Sequence, residues 1–321
     1  MSDRPLVSVI IIFLNAARFI EEAVASVAAQ TYDSWQLLMV DDGSTDASTD
    51  IARRYAAEQP DRFYYLEHAN HQNRGMSASR NLGLHHARGE FIAFLDADDV
   101  WLPHKLETQV ALMHAQPEAA MVYGASQYWY SWTGEAEDLL RDHTPRLGVE
   151  PQQLILPPTL LTLSLQSTAR TPCPSDFLVR RSIAKEVGGF EEQFREQFRD
   201  LFEDQAFLAK VFLKAPVFVT NECWDKYRQH SDSCVAVAAK HRKKYSAGLF
   251  YFDWLKKYLL AQGITDSGVW EALRKKRSRY RYMLFWQSFE RSQQLGQLKT
   301  IIRRFAKRSL PASVRRSLRI D

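Results

Sequence analysis

The sequence has 321 residues, of which 45% are hydrophobic and 25% are charged. This composition excludes a largely disordered chain and allows a sizeable buried core. The longest apolar stretches, Leu6–Leu14 and the proline-interrupted Leu154–Leu165, are too short for a transmembrane helix, which needs about 20 apolar residues. The net charge is +4, yet residues 240–321 contain 21 Lys and Arg against 5 Asp and Glu. Such an asymmetry predicts that this segment meets an anionic partner.

The N-terminal sequence and the cysteine content favour a cytoplasmic protein. No basic segment with a following apolar region and cleavage site precedes the first apolar run. The three cysteines, Cys173, Cys223 and Cys234, are odd in number and contain no CxxC pair. We therefore expect reduced thiols in a cytoplasmic protein and no structural zinc site.

The first 100 residues alternate apolar runs with amphipathic segments. The runs predicted to be strands are Leu6–Leu14, Gln36–Val40, Phe63–Glu67 and Glu90–Leu95. The segments predicted to be helices are Ala16–Gln30, Ala47–Glu58 and Ser77–Ala87. This alternation, in units of roughly 30 residues, predicts βαβ units and a parallel sheet. The continuous Val and Ile content of the first run is typical of a strand buried on both faces.

The pattern is less regular after residue 120. Met121–Trp132 is aromatic and strand-like, whereas Thr133–Thr171 is polar, contains proline and shows no clear periodicity. Two short strands and two helices are predicted at Asp176–Val179, Val217–Thr220, Arg181–Val187 and Glu203–Lys214. From about Val237 onward the sequence predicts helices that are rich in aromatic and basic residues.

Acidic residues stand where two of the predicted strands end. Asp96-Ala97-Asp98-Asp99 follows the fourth strand, and Asp41-Asp42 follows the second. The carboxyl ends of parallel strands are where open α/β sheets bind ligands. The first cluster could hold Mg²⁺ or Mn²⁺ through carboxylates two residues apart, or be a solvated acidic turn. The second could accept the imide N–H of a uracil or thymine base, or cap the following helix.

Four segments carry a resemblance to a known family: Pro5–Asn15, Val40–Asp46, Asn73–Gly83 and Gly89–Asp99. In this order and spacing they resemble family 2 of the glycosyltransferases, densely over residues 5–120 and more sparsely over residues 173–232. The resemblance implies a GT-A fold, an α/β architecture with a mostly parallel central sheet flanked by helices. It also implies a nucleotide-sugar-binding half (1–120), an acceptor-side half with the catalytic base (121–236) and a basic helical C-terminal extension (237–321).

The resemblance implies nucleotide-binding roles for the matching positions. The main chain at Phe13 and Asn15 and the carboxylate of Asp42, or of Asp41, would hold the base. Phe13-Leu14-Asn15 lacks the polar residue and the aromatic residue that many relatives have before the Asn, so this contact would be mostly through the main chain. The full implied set is Phe13, Asn15, Asp41, Asp42, Gly75, Arg80, Asp96 and Ala97. Asp96 and Asp98 match the family's D-x-D pair, which implies Mn²⁺ or Mg²⁺ as cofactor.

The segment Leu201-Phe202-Glu203-Asp204 follows Gly188-Gly189-Phe190 at the spacing of the family's E-D motif. By resemblance, Asp204 is the catalytic base and Glu203 orients the donor or the acceptor. An inverting transfer needs one such base to remove the proton of the acceptor hydroxyl. The alternative is that these acidic residues only complement the dipole of a helix N-terminus.

A final motif of the resemblance is Tyr227-Arg228-Gln229-His230. It implies that His230 reaches the metal or a phosphate and that Arg228 neutralises phosphate charge. The alternative is that His230 is an ordinary surface or core residue.

The implied reaction is an inverting transfer of a sugar from a nucleotide diphosphate donor to an acceptor hydroxyl. UDP- and dTDP-sugars are favoured over GDP-sugars, and a glycan or lipid-linked glycan of the surface polysaccharide or O-antigen type is the expected acceptor. In two alternatives, the acceptor is a polyprenyl phosphate, or the chain binds nucleotide sugars without turnover. A third, a nucleotidyltransferase, would need a glycine-rich phosphate loop that Asn15-Ala16-Ala17-Arg18 does not supply.

The C-terminal segment combines an apolar stripe with many cations. Leu298, Ile301, Ile302 and Phe305 follow helical i, i+3, i+4, i+7 spacing, and Arg303, Arg304, Lys307 and Arg308 occupy other faces. Residues 298–319 are therefore predicted to lie on an anionic membrane surface, at the inner face of the cytoplasmic membrane. The alternative is that the stripe packs on the catalytic domain. No nucleic acid is expected, because no recognised binding motif accompanies the charge. Further cations at 274–279 are interleaved with aromatic residues: Tyr280, Tyr282, Phe285 and Trp286.

Overall fold

The structure is a computed structural model that describes residues 4–195, 200–240 and 242–309, with the side chains described as far as residue 289. The strands are β1 Val7–Phe13, β2 Trp35–Asp41, β3 Phe63–Glu67, β4 Phe91–Asp96, β5 Val100–Trp101, β6 Met121–Trp129, β7 Gln153–Ile155, β8 Leu178–Arg180 and β9 Val217–Arg228. The helices are α1 Ile20–Ala28, α2 Ser48–Glu58, α3 Met76–His86, α4 Lys105–Ala115, α5 Ala136–Leu139, α6 Thr159–Gln166, α7 Arg181–Glu186, α8 Glu203–Lys214, α9 Cys234–Lys240, α10 Lys244–Ala261 and α11 Ser267–Ser309.

These strands form one mixed sheet with the neighbour order β3-β2-β1-β4-β8-β6-β9-β5, and β7 pairs with β9. The first four strands in this order are parallel, as predicted. Strand β8 is antiparallel to both β4 and β6, and β6 is parallel to β9. In the parallel part, Phe13 is in register with Asp41, and Ile12 is in register with Asp96. The ends of three strands therefore meet at one edge of the sheet.

Residues of β1 alternate between two hydrophobic cores, one on each face of the sheet. Ile10 and Ile12 lie in the core that also contains side chains of α3, α8, α10 and α11. Val9 and Ile11 lie in the core that contains side chains of α1 and α4. All seven residues of β1 are buried, which confirms the prediction of a strand covered on both faces. Each fully buried side chain of this kind stabilises the fold by about 1.5–3 kcal/mol.

Strand β9 is longer than predicted and ends at Arg228 instead of Thr220. The sequence suggests a loop after Thr220 because Asn221 and Glu222 are polar, and both are exposed. The strand continues because β6 pairs with it across a register shift near Ala125. This extension carries the Tyr227–His230 motif to the edge where β4 ends.

The region Thr133–Thr171 contains three short elements, α5, β7 and α6, where the sequence shows no periodicity. Strand β7 has only three residues and α5 only four, which is too short to reveal a period. Helix α6 packs Leu160, Leu161 and Leu165 into the core shared with α8.

The C-terminal extension is helical as predicted, and its first part belongs to the main core. Phe252, Leu255 and Leu259 of α10 and Val269 and Leu273 of α11 are buried together with side chains of α8. Helix α11 continues to Ser309, and the rest of the predicted membrane segment, residues 310–319, lies outside the described residues. Within the described ranges, no helix is both long and apolar enough to cross a membrane.

Candidate active site

Asp41 closes the turn that follows β2. Its side chain is fully buried. One carboxylate oxygen accepts the amide N–H of Ser44 at 2.8 Å, and the other accepts the hydroxyls of Thr49 at 2.5 Å and Tyr65 at 3.2 Å. These bonds fix the turn and link it to the Thr49 side chain in the first turn of α2, so they favour a structural role in the turn for Asp41.

Asp42 holds the beginning of α3 against the end of β2. Its carboxylate accepts the amide N–H groups of Arg74 at 2.6 Å and Gly75 at 2.9 Å. Gly75 has a φ of 92°, and a Cβ at this position would lie 2.6 Å from a carboxylate oxygen of Asp200. Only glycine fits this conformation and this close contact. Gly75 therefore allows the tight backbone turn before α3, next to the predicted nucleotide pocket.

The predicted base-binding segment after β1 is tied to the turn after β2. The carbonyl oxygen of Phe13 accepts the amide N–H of Asp42 at 2.8 Å. The side-chain oxygen of Asn15 accepts the main-chain N–H of Thr45 at 2.7 Å, and the main-chain N–H of Asn15 donates to the hydroxyl of Ser44 at 3.0 Å. Asn15 itself adopts a left-handed φ of 52°. The two loops form one hydrogen-bonded unit at the edge of the sheet.

Asp200 was not recognised from the sequence, yet it organises the same region. Its carboxylate accepts the amide N–H of Met76 at 2.9 Å, at the first turn of α3. A carboxylate at a helix N-terminus is stabilised by the exposed N–H groups and the helix dipole. Burial raises the pKa of the Asp200 carboxyl, and these N–H bonds act in the opposite direction. Asp200 thereby joins the segment before α8 to the start of α3.

Arg80 of α3 is a buried cation that links the two acidic motifs. Its guanidinium donates to the carboxylate of Asp96 at 2.6 Å and also to the carboxylate of Glu203. Arg80 and Glu203 are 2% and 3% exposed, so this pair is shielded from water, whereas the Asp96 carboxylate is partly exposed. The sequence places Arg80 in the nucleotide pocket, whereas its contacts here are to protein carboxylates.

Several carboxyl groups surround the single cation of Arg80, and their pKa values are raised. Burial raises the pKa of Glu203 to about 8, although Arg80 opposes this effect. Burial also raises the pKa values of Asp96 and Asp204. One oxygen of Glu203 is buried without a hydrogen-bond partner among the described residues. A site with this excess of acidic groups is suited to bind a cation or a hydrogen-bond donor.

The turn Asp96–Asp99, here called the D-x-D turn, is held by Ser175. The hydroxyl of Ser175 accepts the amide N–H of Asp96 at 3.1 Å and donates to the carboxylate of Asp99 at 2.5 Å. Asp99 is fully buried and also accepts the amide N–H of Arg228 at 2.9 Å. Ala97 is buried as well. By contrast, the side chains of Asp96 and Asp98 are each 28% exposed, so these two carboxylates remain accessible.

Asp98 and His230 lie together, as required for the predicted metal site. The carboxylate of Asp98 is 3.0 Å from Nε2 of His230, whose Nδ1 is buried without a partner among the described residues. Asp96 turns toward Arg80 instead, and within the described residues no three His, Cys, Asp or Glu side chains form a metal-binding group. Mg²⁺ is commonly held by one or two carboxylates and completed by substrate phosphates and water. The Asp98–His230 pair fits such a partial site, whereas Asp96, the third predicted ligand, binds Arg80 instead.

The side chain of Arg228 binds the main chain of the D-x-D turn. Its guanidinium donates to the carbonyl oxygen of Asp98 at 2.6 Å and to the carboxylate of Glu22 at 2.5 Å. It is 3% exposed and lies over the rings of Phe19 and Trp129, at 4.9 and 4.4 Å from their centres. These contacts favour a positioning role for Arg228 over the predicted direct contact with phosphate.

Asp204 lies in the first turn of α8, beside Glu203. It is half-buried, and one of its oxygens accepts the amide N–H of Gln205 at 2.8 Å. Two residues shortly before Asp204 have an unusual backbone conformation: Asp200 and Phe202 have left-handed φ values of 63° and 71°. Such conformations persist only where the surroundings impose them, and they are common at functional sites. The ring of Tyr251 in α10 stacks on Phe202 at 5.6 Å and supports this segment.

These features define a GT-A-type α/β domain, with a largely parallel sheet covered on both faces and acidic side chains at the ends of its strands. The chain belongs to glycosyl transferase family 2, because the model of that family matches residues 8–188. The match covers the donor-side motifs. It ends before α8 and β9, which carry Glu203, Asp204 and Arg228.

The chain is similar to several curated relatives over about a third of its length. It is 38% identical over 119 residues to WfgD of Escherichia coli, named as a UDP-Glc:α-D-GlcNAc-diphosphoundecaprenol β-1,3-glucosyltransferase. This match covers 35% of the chain and 42% of WfgD. The matches to other curated relatives likewise span only about two fifths of those proteins.

Solved structures with the same fold match a larger part of the chain. TarS of S. aureus in complex with UDP aligns with a TM-score of 0.54 at 20% identity, over 77% of this chain and 64% of the TarS chain. Mannosyltransferase PcManGT of Pyrobaculum calidifontis, in complex with GDP-Man and Mn²⁺, aligns with a TM-score of 0.56 at 19% identity, over 86% and 70% of the two chains. At these identities the similarity establishes the fold.

Proposed function

We infer that this chain transfers a sugar from a nucleotide diphosphate donor to an acceptor hydroxyl, with inversion at the anomeric carbon. The observation that carries this proposal is the bridge from Asp96 through Arg80 to Glu203. It brings the D-x-D turn, at the end of β4, to the first turn of α8, where Asp204 lies. A donor diphosphate and a general base would then share one cleft, as a single displacement requires.

In this reaction, Asp204 accepts the proton of the acceptor hydroxyl while the hydroxyl oxygen attacks the anomeric carbon. The bond between that carbon and the diphosphate breaks on the opposite face, so an α-linked donor gives a β-linked product. The raised pKa of Asp204 makes it a stronger base than an ordinary Asp carboxylate. Glu203, fixed by Arg80, orients the donor or the acceptor beside it.

The donor's nucleotide would lie over the hydrogen-bonded loops after β1 and β2, near Phe13, Asn15 and Asp42. We favour a UDP-sugar, with dTDP next and GDP less favoured, since WfgD is named for UDP-Glc and TarS was solved with UDP. The GDP-Man complex of PcManGT is the counterexample within the same fold.

Asp98 and His230 would hold Mn²⁺ or Mg²⁺, consistent with the Mn²⁺ in the PcManGT complex. A divalent cation there supplies positive charge to the departing diphosphate. Arg228 keeps the main chain of Asp98 in place, and Ser175 keeps that of Asp96 in place.

We further propose that the acceptor is a glycan or a lipid-linked glycan used in surface polysaccharide synthesis, bound by the half comprising residues 121–236. WfgD is named for a diphosphoundecaprenol-linked acceptor, which supports the lipid-linked choice. The reaction would then take place in the cytoplasm, at the inner face of the membrane.

A screen of nucleotides with Mn²⁺ tests this function. UDP should raise the melting temperature in the presence of Mn²⁺, because a ligand at 100 times its Kd stabilises the folded state by about 2.7 kcal/mol. EDTA should remove most of this effect and abolish sugar transfer, and NMR of the product should show inverted anomeric configuration. Full transfer in EDTA would contradict the metal site, and retained configuration would contradict the role of Asp204.

A further inference from the structure

Helix α11 carries a cluster of exposed aromatic side chains that the proposed reaction does not use. Tyr282, Phe285, Trp286 and Phe289 are 60%, 63%, 42% and 45% exposed. Their spacing of i, i+3, i+4 and i+7 places them on one face of the helix. Neighbouring ring centres are 5.6–6.5 Å apart, so the four rings form one continuous patch, here called the aromatic face.

The aromatic face points away from the body of the protein. Tyr280, which lies on the other side of the helix, packs edge-on against Phe252 of α10 at 4.9 Å. Among the described residues, the ring contacts of the aromatic face are only between its own members. A contiguous exposed apolar patch marks an interaction surface, since isolated exposed apolar residues are ordinary but clusters are not.

Cations surround the N-terminal end of the aromatic face. Arg274, Lys275, Arg279 and Arg281 are all exposed and lie within the two turns that precede Tyr282. Lys275 pairs with Glu271 at 2.6 Å, and the other three are not neutralised by an ion pair recorded within the described residues. Lys275, Lys276 and Arg279 also line a hollow of about 290 Å³ between α11 and the end of α6.

We propose that the aromatic face of α11 docks on the surface of an anionic lipid bilayer. Tyr and Trp rings favour the boundary between headgroups and acyl chains, because they combine apolar area with a polar atom. The flanking cations would lie at the level of the lipid phosphates, and the hollow beside α6 could receive a phosphate headgroup.

Charge distinguishes this occupant from a second copy of the chain. Residues 240–321 have a net charge of +16, whereas the rest of the chain has a net charge of −12. Two copies that met through their aromatic faces would bring the cations of each helix together and repel one another. An anionic bilayer gives both the apolar boundary and the opposite charge.

Helix α11, which carries the aromatic face, packs against α10 beside the segment that precedes Glu203. Gly248 of α10 leaves room for the ring of Tyr280, since a Cβ there would lie 2.3 Å from it, and that Cβ would also touch the ring of Phe202. Phe202 directly precedes Glu203. If the proposed function is correct, the helix that docks on the bilayer also packs against the α10 residues that contact the segment before the proposed base. The surface is distinct from residues 298–319, for which the sequence predicts membrane contact.

Vesicle flotation with the full-length chain tests the proposal. The probes are phosphatidylcholine vesicles and phosphatidylcholine vesicles with about one third phosphatidylglycerol, whose negative potential attracts basic segments. The double variant Phe285→Ser/Trp286→Ser should lower the partition coefficient on the anionic vesicles at least about tenfold. The matched control, Leu139→Ser/Leu140→Ser at the C-terminal end of α5, removes two exposed apolar side chains elsewhere and should bind like the unmodified protein.

A second pair of variants tests the cations. Arg279→Gln/Arg281→Gln should weaken binding to anionic vesicles about fivefold per residue, and should leave binding to pure phosphatidylcholine unchanged. Binding of UDP with Mn²⁺, followed by thermal shift, should be the same in all these variants, which separates docking from the proposed function.

Several results would overturn the proposal. The circular dichroism spectrum of the aromatic variant and its melting-temperature response to UDP with Mn²⁺ check that it folds. Flotation equal to that of the unmodified protein, with folding intact, rejects the aromatic face. So does a dimer in sedimentation velocity that the aromatic variant dissociates while vesicle binding persists, because the occupant is then a second copy. Loss of flotation on deletion of residues 310–321, with the aromatic variant still bound, assigns docking to the tail.

Discussion

Two regions of the proposed active site are held together in different ways: the edge of the sheet where we propose that the donor binds, and the segment around α8 where we propose that the acceptor binds. At the donor edge, Phe13, Asp41 and Asp96 meet because parallel strands end together in register. On the acceptor side, Glu203 reaches the cleft through a contact with Arg80, which is 123 residues away in sequence. Arg228 reaches Asp99 across 129 residues.

This difference has consequences for stability and for function. Contacts fixed by strand register are supported by two hydrophobic cores, so one side chain can change while the edge persists. The acceptor side depends on a few buried polar links, each of which leaves a charge or donor unpaired when its partner is removed. Substitutions should therefore separate effects on chemistry, on the link between the sides and on the donor edge.

The largest expected effect is on the acceptor side. Asp204→Asn removes the proposed base and should lower the rate of transfer by about 10²–10⁴-fold. Affinity for UDP, measured by calorimetry, should stay the same because the donor edge is intact. Asp61→Asn, at an exposed position, is the control. Retention of most activity would instead favour an acceptor that is already an anion, such as a polyprenyl phosphate.

The link between the two sides should be the most costly to break in terms of stability. Arg80→Gln leaves the buried carboxylate of Glu203 and the partly exposed carboxylate of Asp96 without their cation, and should lower the free energy of unfolding by about 3–5 kcal/mol. Chemical denaturation measures this change. Arg54→Gln removes an exposed arginine that pairs with Glu21 and should leave the free energy of unfolding almost unchanged. A small effect of Arg80→Gln would mean that strand register alone holds the cleft together.

The metal site should show a loss that depends on the cation. Asp98→Asn and His230→Gln should each reduce kcat/KM for the donor by about 10²-fold, with a higher Mn²⁺ concentration needed for half-maximal activity. A titration of transfer rate with Mn²⁺ checks this. An unchanged Mn²⁺ response in both variants would remove this pair from the metal site.

Ser175→Ala tests the support of the donor edge. The loss of the hydroxyl leaves the buried carboxylate of Asp99 short of one donor, and should destabilise the protein by about 1–3 kcal/mol. Ser288→Ala, on the exposed surface of α11, should be close to neutral. If the two variants unfold at the same denaturant concentration, Ser175 does not hold the D-x-D turn.

The smallest expected effect is on the shape of the pH–rate profile. Asp204 must be deprotonated to act as a base, so activity falls as the pH drops through its pKa. Because burial raises that pKa, the acid limb of kcat/KM should lie above the value near 4 that is usual for Asp. An acid limb at or below this value would argue for another base.

The sequence predicts the donor side well because its information is local. The strands after which Asp42 and Asp98 occur are long apolar runs, and parallel topology brings their ends together. The predicted helix Glu203–Lys214 coincides with α8, since its apolar spacing is regular. The division into parts at residues 120 and 236 stays a prediction, and one sheet runs through both halves.

The contacts of the acceptor side could not be predicted from spacing. Ser175 and Asp200 are polar residues in irregular segments before a short strand and a helix, and only the three-dimensional structure shows which N–H groups they bind. The aromatic environment of Arg228 is equally hidden, because Phe19 and Trp129 are far apart in the sequence and both are far from Arg228. The role of Arg80 as a bridge between carboxylates depends on the same long-range packing.

A crystal structure of the chain with UDP and Mn²⁺ tests the shared cleft most directly. We expect the ion about 2 Å from a carboxylate oxygen of Asp98 and from Nε2 of His230, with the diphosphate in the cleft that Asp204 borders. An ion and diphosphate bound away from Asp98, or a cleft in which Asp204 is out of reach of the bound donor, would contradict the proposed site.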